Sequence, residues 1–207
     1  MFIKKATVMA IRDYKLDNLL RIKTSGWDAS NSDFDHYPYE PTSYSVLERL
    51  AFSGYITKKN TVLDYGCGKG RVDFFLSYQT RCKSIGVEYD ERLFVDAVEN
   101  AKYAVSRKRV SFTYGNAEEY EVPVEVDRCF FFNPFSVDIL KKVISKITES
   151  YYICPREILL FFYYPSDDYI SYLMTESVVD FVDEIMCMDL FEGNNKRERI
   201  MIFQLNL

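Results

Sequence analysis

The sequence holds one histidine and one tryptophan among 207 residues. So little histidine leaves neither the usual zinc donor set nor the usual general base, and no metal site is expected. Cysteine is sparse and scattered: Cys67, Cys82, Cys129, Cys154 and Cys187 are odd in number and form no C-x-x-C pair. That argues against a disulfide frame or a thiolate metal knot and suits a reducing compartment, so a cytoplasmic location is expected. Long apolar runs are missing too. The densest, Ile158–Tyr164, is far below the roughly 20 residues that cross a bilayer, and Lys4-Lys5 interrupts anything resembling a leader. Basic excess is also lacking, with 26 Lys and Arg against 31 Asp and Glu and a formal charge of −5. A protein that grips duplex nucleic acid is normally basic, so nucleic acid is not the expected partner. The cluster Arg107-Lys108-Arg109 reads instead as the solvated end of a helix, where cations suit the dipole.

What remains is a composition 48% hydrophobic and 16% aromatic, enough to fill one sizeable core. Strand and helix patterns alternate along the chain. Strands are expected at Val62-Leu63, Lys83–Glu88, Arg109–Tyr114, Arg128–Phe132 and Glu157–Tyr164. Helices are expected at Lys69–Gln79, Glu91–Ser106, Val137–Thr148 and Asp167–Glu176. Val178–Met188 and Glu198–Leu205 read as a final antiparallel pair around Gly193-Asn194-Asn195. Such alternation with near-continuous apolar strands means an α/β, Rossmann-like, doubly wound and mostly parallel sheet closed by an antiparallel hairpin. No linker or repeat divides it, so residues 1–207 are expected to form a single domain. Its first part, 1–54, would carry a short amphipathic helix around Leu16–Lys23, an aromatic loop and a helix after Pro41-Thr42-Ser43; 55–207 would be the core. The loop Gly26–Glu40 carries Trp27, Phe34, Tyr37 and Tyr39, and polar loops with interleaved rings serve equally as ligand covers and as surface packing.

Thr61–Arg71, TVLDYGCGKGR, is the informative stretch. A short apolar strand meets Asp64, then glycines at 66, 68 and 70, then helical spacing from Val72. Glycine lets the backbone turn and approach a ligand closely, and the helix start favours an anionic group. The dinucleotide fingerprint spaces its glycines G-x-G-x-x-G; here the third comes one residue early, with Arg71 in its place. Asp64 suits S-adenosylmethionine better, because that molecule carries an α-ammonium beside its carboxylate. Another nucleotide and a purely structural turn stay open. In an open parallel sheet ligands sit at the carboxyl ends of the strands, which gives weight to Glu88, Asn116 with Ala117, Asn133 with Phe135, and Tyr163-Tyr164. A carboxylate at Glu88 can take both ribose hydroxyls. Asn116 and Ala117 could read an adenine edge, Asn133 could offer its amide oxygen to a target N–H, and Phe135 could wall the pocket. His36 in the aromatic loop is a minor candidate base, and Cys67 inside the turn matters more for its size than for its thiol.

The run VLDYGCGKGR, GVEYDERL, YGNAEEY and FFFNPFS resembles the successive motifs of the class I S-adenosylmethionine-dependent methyltransferases. With YEPTSYSVLERL and FYYP added, it looks like a bacterial group of such enzymes over roughly residues 37–165. The resemblance implies transfer of a methyl group from S-adenosylmethionine, with S-adenosylhomocysteine as product, to a small-molecule or protein amine. It implies cofactor contacts from Asp64, Tyr65, Gly66, Cys67, Gly68 and Arg71, from Glu88 and Tyr89, and from Asn116, Ala117 and Asn133. Asn133 and Phe135 would be the catalytic pair, and Tyr39, Tyr163 and Tyr164 would face the acceptor. Two departures stand out: Asn116 occupies a place often held by Asp, and Asn-Pro-Phe replaces the Asn-Pro-Pro-aromatic of amino-methylating relatives. The alternative is a protein that binds the cofactor without catalysis, as a sensor or interaction module, with an oxidoreductase third. Oligomeric state is not legible.

Overall fold

The computed structural model describes residues 2–26, 28 and 39–207, with side chains from residue 11 onward. Trp27, Phe34, His36 and Tyr37 lie outside the described residues. In chain order the elements are α1 (Phe2–Leu20), α2 (Tyr44–Phe52), β1 (Thr61–Tyr65), α3 (Arg71–Thr80), β2 (Lys83–Glu88), α4 (Glu91–Tyr103), β3 (Val110–Tyr114), β4 (Arg128–Phe131), α5 (Val137–Ile153), β5 (Leu159–Tyr163), α6 (Asp167–Leu173), β6 (Val179–Met186) and β7 (Arg199–Leu205). Short 3-10 turns follow α4 at Arg107–Arg109 and β6 at Met188–Leu190.

The seven strands form one sheet in the order β3-β2-β1-β4-β5-β7-β6. β1 pairs in parallel with both β2 and β4, β2 with β3, and β4 with β5. β7 runs antiparallel to β5 and β6. The chain leaves β1 toward one edge and returns at β4 to build toward the other, so a crevice opens between the ends of β1 and β4. Because β7 is reversed, its amino end lies beside the carboxyl end of β5: Tyr163 pairs with Ile200, and the Tyr164 N–H donates to the Arg199 carbonyl at 3.0 Å.

Alternation along buried strands sends side chains to opposite faces. Leu63 and Tyr65, Cys129 and Phe131, and Leu160 and Phe162 join one core with Leu140, Ile144 and Ile147 of α5 and Tyr169 and Leu173 of α6. Val62, Phe130, Phe161 and Tyr163 join the other with Tyr44 and Leu47 of α2 and Phe74 and Phe75 of α3. Tyr65 pairs in register with Phe131, and Phe131 with Phe162. Their rings therefore stack across three strands, at 5.0 Å and 9° and then 4.6 Å and 8°.

Several boundaries differ from the sequence expectation. The amphipathic helix around Leu16 extends back to Phe2. α4 stops at Tyr103 rather than Ser106, because Ala104 turns extended to enter the core and the Val105 N–H donates to the Leu20 carbonyl. Its buried face accordingly runs through Leu93, Ala97 and Asn100, while Val98 and Val105 are exposed. α5 runs on to Ile153, beyond the expected end at Thr148.

Candidate active site

The turn after β1 is held to the end of β2: the N–H groups of Gly66 and Cys67 both donate to the Val87 carbonyl, at 2.9 and 3.1 Å. Gly66 and Gly68 have φ of 71° and 54°, conformations that side chains resist. Space forbids them as well. A Cβ on Gly66 would lie 2.5 Å from the Pro134 Cβ, and one on Gly68 would lie 2.2 Å from the Tyr39 ring. The turn is thus pressed between the loop after β4 and residue 39. The Tyr39 hydroxyl donates to the Thr24 carbonyl at 2.6 Å, and burial pushes that hydroxyl up.

Three acids gather beneath the turn. Glu88, 8% exposed, accepts from the Gly68 N–H at 2.7 Å with one oxygen and from the Asp90 N–H at 2.8 Å with the other. Burial raises its pKa while these amides oppose the rise. Each oxygen keeps a further lone pair for a hydroxyl donor. Asp64, 3% exposed, has an Oδ2 with no hydrogen-bond partner among the described residues. Asp73, in the first turn of α3, is fully buried; its Oδ1 accepts from the Ser84 hydroxyl at 2.6 Å, and its Oδ2 has no partner among them either. Burial pushes both carboxyls up, and they lie within hydrogen-bonding reach of each other. Two carboxylates so placed do not readily ionise together, which favours one proton shared between them. Sequence reading missed Asp73 and Ser84. The available signal was an acid set among Val72, Phe74 and Phe75, where an exposed helix start would not be so apolar.

Asn133 is engaged. Its amide nitrogen donates to the Tyr164 carbonyl at 2.6 Å and its Oδ1 accepts from the Ser166 N–H at 3.2 Å, with φ of 41° at Asn133 and 51° at Tyr164. It ties the loops after β4 and β5 together, leaving one lone pair on its oxygen. Phe132 packs on Tyr163 and Tyr164 with ring centroids 4.7 and 6.4 Å away. The Tyr163 hydroxyl donates to Glu198 at 2.7 Å, and the Arg197 guanidinium lies 4.5 Å from the Tyr164 ring. A small, open cleft runs from Asp64, Gly66 and Cys67 past Phe132 to Glu40 and Thr42.

Other expected site residues sit differently. The Tyr65 side chain is in the core, stacked on Phe131, because it alternates away from the face that carries Asp64. Phe135 is 3% exposed and packs edge-on against Tyr65 and Phe131, so it fills the core rather than walling the cleft. Arg71 lines the cleft, yet its donors are committed: Nε to the Thr24 hydroxyl at 2.7 Å and Nη1 to Asp13 at 2.7 Å, with Tyr44 under the guanidinium at 4.5 Å. It fastens the N-terminal segment to α3. Tyr89 is half exposed at the end of β2. Asn116 makes a local turn, accepting from the Glu118 N–H at 3.2 Å, and Ala117 packs on the core beside it. Among the described residues no group of His, Cys, Asp and Glu could hold a metal ion, and no helix is long and apolar enough to cross a membrane.

No family model matches the chain. A protein-lysine N-methyltransferase of Saccharolobus islandicus is 28% identical over 88 residues, covering 42% of this chain and 55% of that protein. The chain thus aligns with only about half of that relative's length. An RNA methyltransferase from Salinibacter ruber in complex with S-adenosylhomocysteine superposes with a TM-score of 0.56 at 18% identity, covering 81% of this chain and 94% of that one. The glycopeptide N-methyltransferase MtfA complexed with S-adenosylmethionine gives 0.59 at 11% identity, over 79% and 93%. The fold, an α/β Rossmann-like, mostly parallel seven-stranded sheet with a C-terminal antiparallel hairpin, is shared with these methyltransferase structures.

Proposed function

We propose that this protein is an S-adenosylmethionine-dependent methyltransferase acting on an amine, on a protein lysine or a small molecule. One observation carries the reading: within a class I fold, the buried carboxyls of Asp64, which lines the cleft, and of Glu88, which holds the Gly68 N–H, flank a glycine turn at the switch between β1 and β4. Those residues fit the cofactor. Asp64 offers an acceptor for an ammonium, Glu88 offers lone pairs for ribose hydroxyls, and Gly66 and Gly68 present bare backbone. Asn116, Ala117 and Tyr89 would border the adenine. When bound, the cofactor supplies an already activated methyl group, so the protein's task is to position the acceptor and exclude water. Asn133 does this by fixing the loops that carry Phe132 and Tyr164, with one amide lone pair left for an acceptor N–H. The amine preference draws support from the N-methyltransferases among the similar proteins. The acidic balance weighs against nucleic acid, and the unpaired cysteines favour a cytoplasmic setting.

A binding module without catalysis is the second reading, favoured by the bonds that hold Asn133 to Tyr164 and Ser166 and by Tyr39 lying over Gly68. Calorimetric titration with S-adenosylmethionine, S-adenosylhomocysteine and NAD, followed by radiolabelled methyl transfer to poly-L-lysine and small amines, tests both. Micromolar binding of the first two ligands together with transfer supports the enzyme, and transfer should vanish in Asn133→Ala while cofactor affinity stays. Binding with no transfer to any amine favours the module. NAD binding alone, or no binding at all, would refute both.

A further inference from the structure

The face of the sheet that carries Asp64 is the one α3 covers. Val62 packs there with Phe74 and Phe75 of α3, and strand alternation sends Asp64 to the same side. In the parallel register of β1 with β2, Val62 pairs with Ser84 and Asp64 with Gly86, so the Ser84 hydroxyl belongs to this layer too. Asp73 enters it from the first turn of α3, fully buried, and accepts from the Ser84 hydroxyl at 2.6 Å. Its carboxyl lies within hydrogen-bonding reach of Asp64, and Asp64 lines the cleft. Each of the two has a buried Oδ2 to which no N–H or hydroxyl donates among the described residues. Neither has an ion pair among them: Arg71, two residues before Asp73, turns to Asp13 and Thr24 instead. Glu88 is a further acid that bears on Asp64, and its oxygens are held by the Gly68 and Asp90 amides. Two carboxylates only accept, so a hydrogen bond between them needs one proton. A hydroxyl donating to Asp73 favours the charge there and the proton on Asp64. A cation brought against Asp64 reverses that preference.

We propose that Asp73 is a positioning residue for the cofactor's α-ammonium: it takes over the proton shared with Asp64 and donates back to it, so that Asp64 meets the ammonium as a carboxylate. The inference rests on the methyltransferase reading and deepens it. In this step the O–H bond on Asp64 breaks, an O–H bond on Asp73 forms, and the proton crosses the hydrogen bond between them. The pair keeps one proton and one negative charge throughout, so no outside base is needed. Ser84 holds the other oxygen of Asp73. A lone buried carboxyl in place of the pair would stay protonated and offer the ammonium no charge.

The probes are S-adenosylhomocysteine and its deaminated analogue, in which hydrogen replaces the α-ammonium, titrated calorimetrically into the wild type and two variants. The wild type should prefer S-adenosylhomocysteine by about tenfold or more, the scale of a charge-assisted hydrogen bond. Asp73→Asn takes up no proton, yet its amide still donates to Asp64 and should keep that preference. Asp73→Leu does neither and leaves Asp64 neutral, so the preference should fall to about threefold or less while affinity for the deaminated analogue is unchanged. Asp73→Ala repeats the test with a smaller side chain. A preference that survives in Asp73→Leu or Asp73→Ala overturns the role given to Asp73, and so does its loss in Asp73→Asn. Equal loss of both ligands in Asp73→Leu and Asp73→Ala makes Asp73 part of the packing alone and overturns it as well. If the wild type binds both ligands equally, the proposal falls while the cofactor reading stands. If it binds neither, both fall.

Discussion

Replacing Asp73 by Asn isolates the buried carboxyl pair. In the native protein Asp73 is buried against Asp64, with the Ser84 hydroxyl as its donor. Its carboxyl is pushed from an ordinary 3.8 up to about 7. A native group that holds its proton more tightly than the unfolded chain contributes most below its unfolded pKa. That contribution is lost as pH rises toward the native value. Each tenfold change in proton affinity is about 1.4 kcal/mol, so full ionisation forfeits at most about 4 kcal/mol. Asn keeps an oxygen for Ser84 and a donor for Asp64 but has nothing to ionise. Asp73→Asn should therefore be more stable than wild type by about 2–4 kcal/mol at pH 8, and nearly equal to it at pH 4. The decline in stability between these values should flatten. Glu88 titrates in both proteins, and Asp64 is tied to Asp73, so the difference between the two curves reports the Asp64–Asp73 pair. Urea unfolding at half-unit pH intervals measures it. A variant less stable than wild type at pH 8, or a difference that does not change with pH, would falsify the shared proton.

Two further substitutions address residues whose place differs from the sequence expectation. Tyr65 buries a hydroxyl with no partner among the described residues, so Tyr65→Phe should leave stability unchanged or raise it by up to about 1 kcal/mol. A loss above that size in urea unfolding would show that the hydroxyl has a partner. Arg71→Met strips the cation from Asp13 and Asp17, to which it lies at 2.7 and 3.8 Å. It should cost about 3–5 kcal/mol, the scale for breaking a buried pair, and should open residues 12–25 to limited proteolysis. Unaltered cleavage together with a loss below about 1 kcal/mol would remove the fastening role.

Much of the sheet was readable because its strands are buried on both faces and so appear as unbroken apolar runs, as in Leu159–Tyr163. The glycine turn was readable because no other residue tolerates its neighbours: Pro134 and Tyr39 fill the space a side chain would need. Glu88 was legible as an acid at the end of β2, although its bond to the Gly68 N–H was not foreseen. What escaped reading depends on partners distant in sequence. Arg71 looks like part of a ligand motif, yet Asp13 and Thr24, which occupy it, lie 58 and 47 residues earlier. Asn133 looks like a free amide until β5 brings Tyr164 and Ser166 beside it. Glu198 carried no signal, because only the reversal of β7 places it beside the Tyr163 hydroxyl.

Arg71 and Tyr39 together show how the N-terminal segment bears on the cleft. Thr24 receives the Tyr39 hydroxyl on its carbonyl and the Arg71 Nε on its side chain, which in turn donates to Asp17 at 2.8 Å. The ring over Gly68 and the cation at the start of α3 therefore share one anchor. On the proposed cofactor reading, a ligand crossing Gly68 must displace the ring, and so gives up one hydrogen bond worth about 1 kcal/mol. A cost that small is easily met by the hydroxyls and ammonium that Glu88 and Asp64 would receive. Tyr39 therefore protects the bare turn without closing it to a ligand.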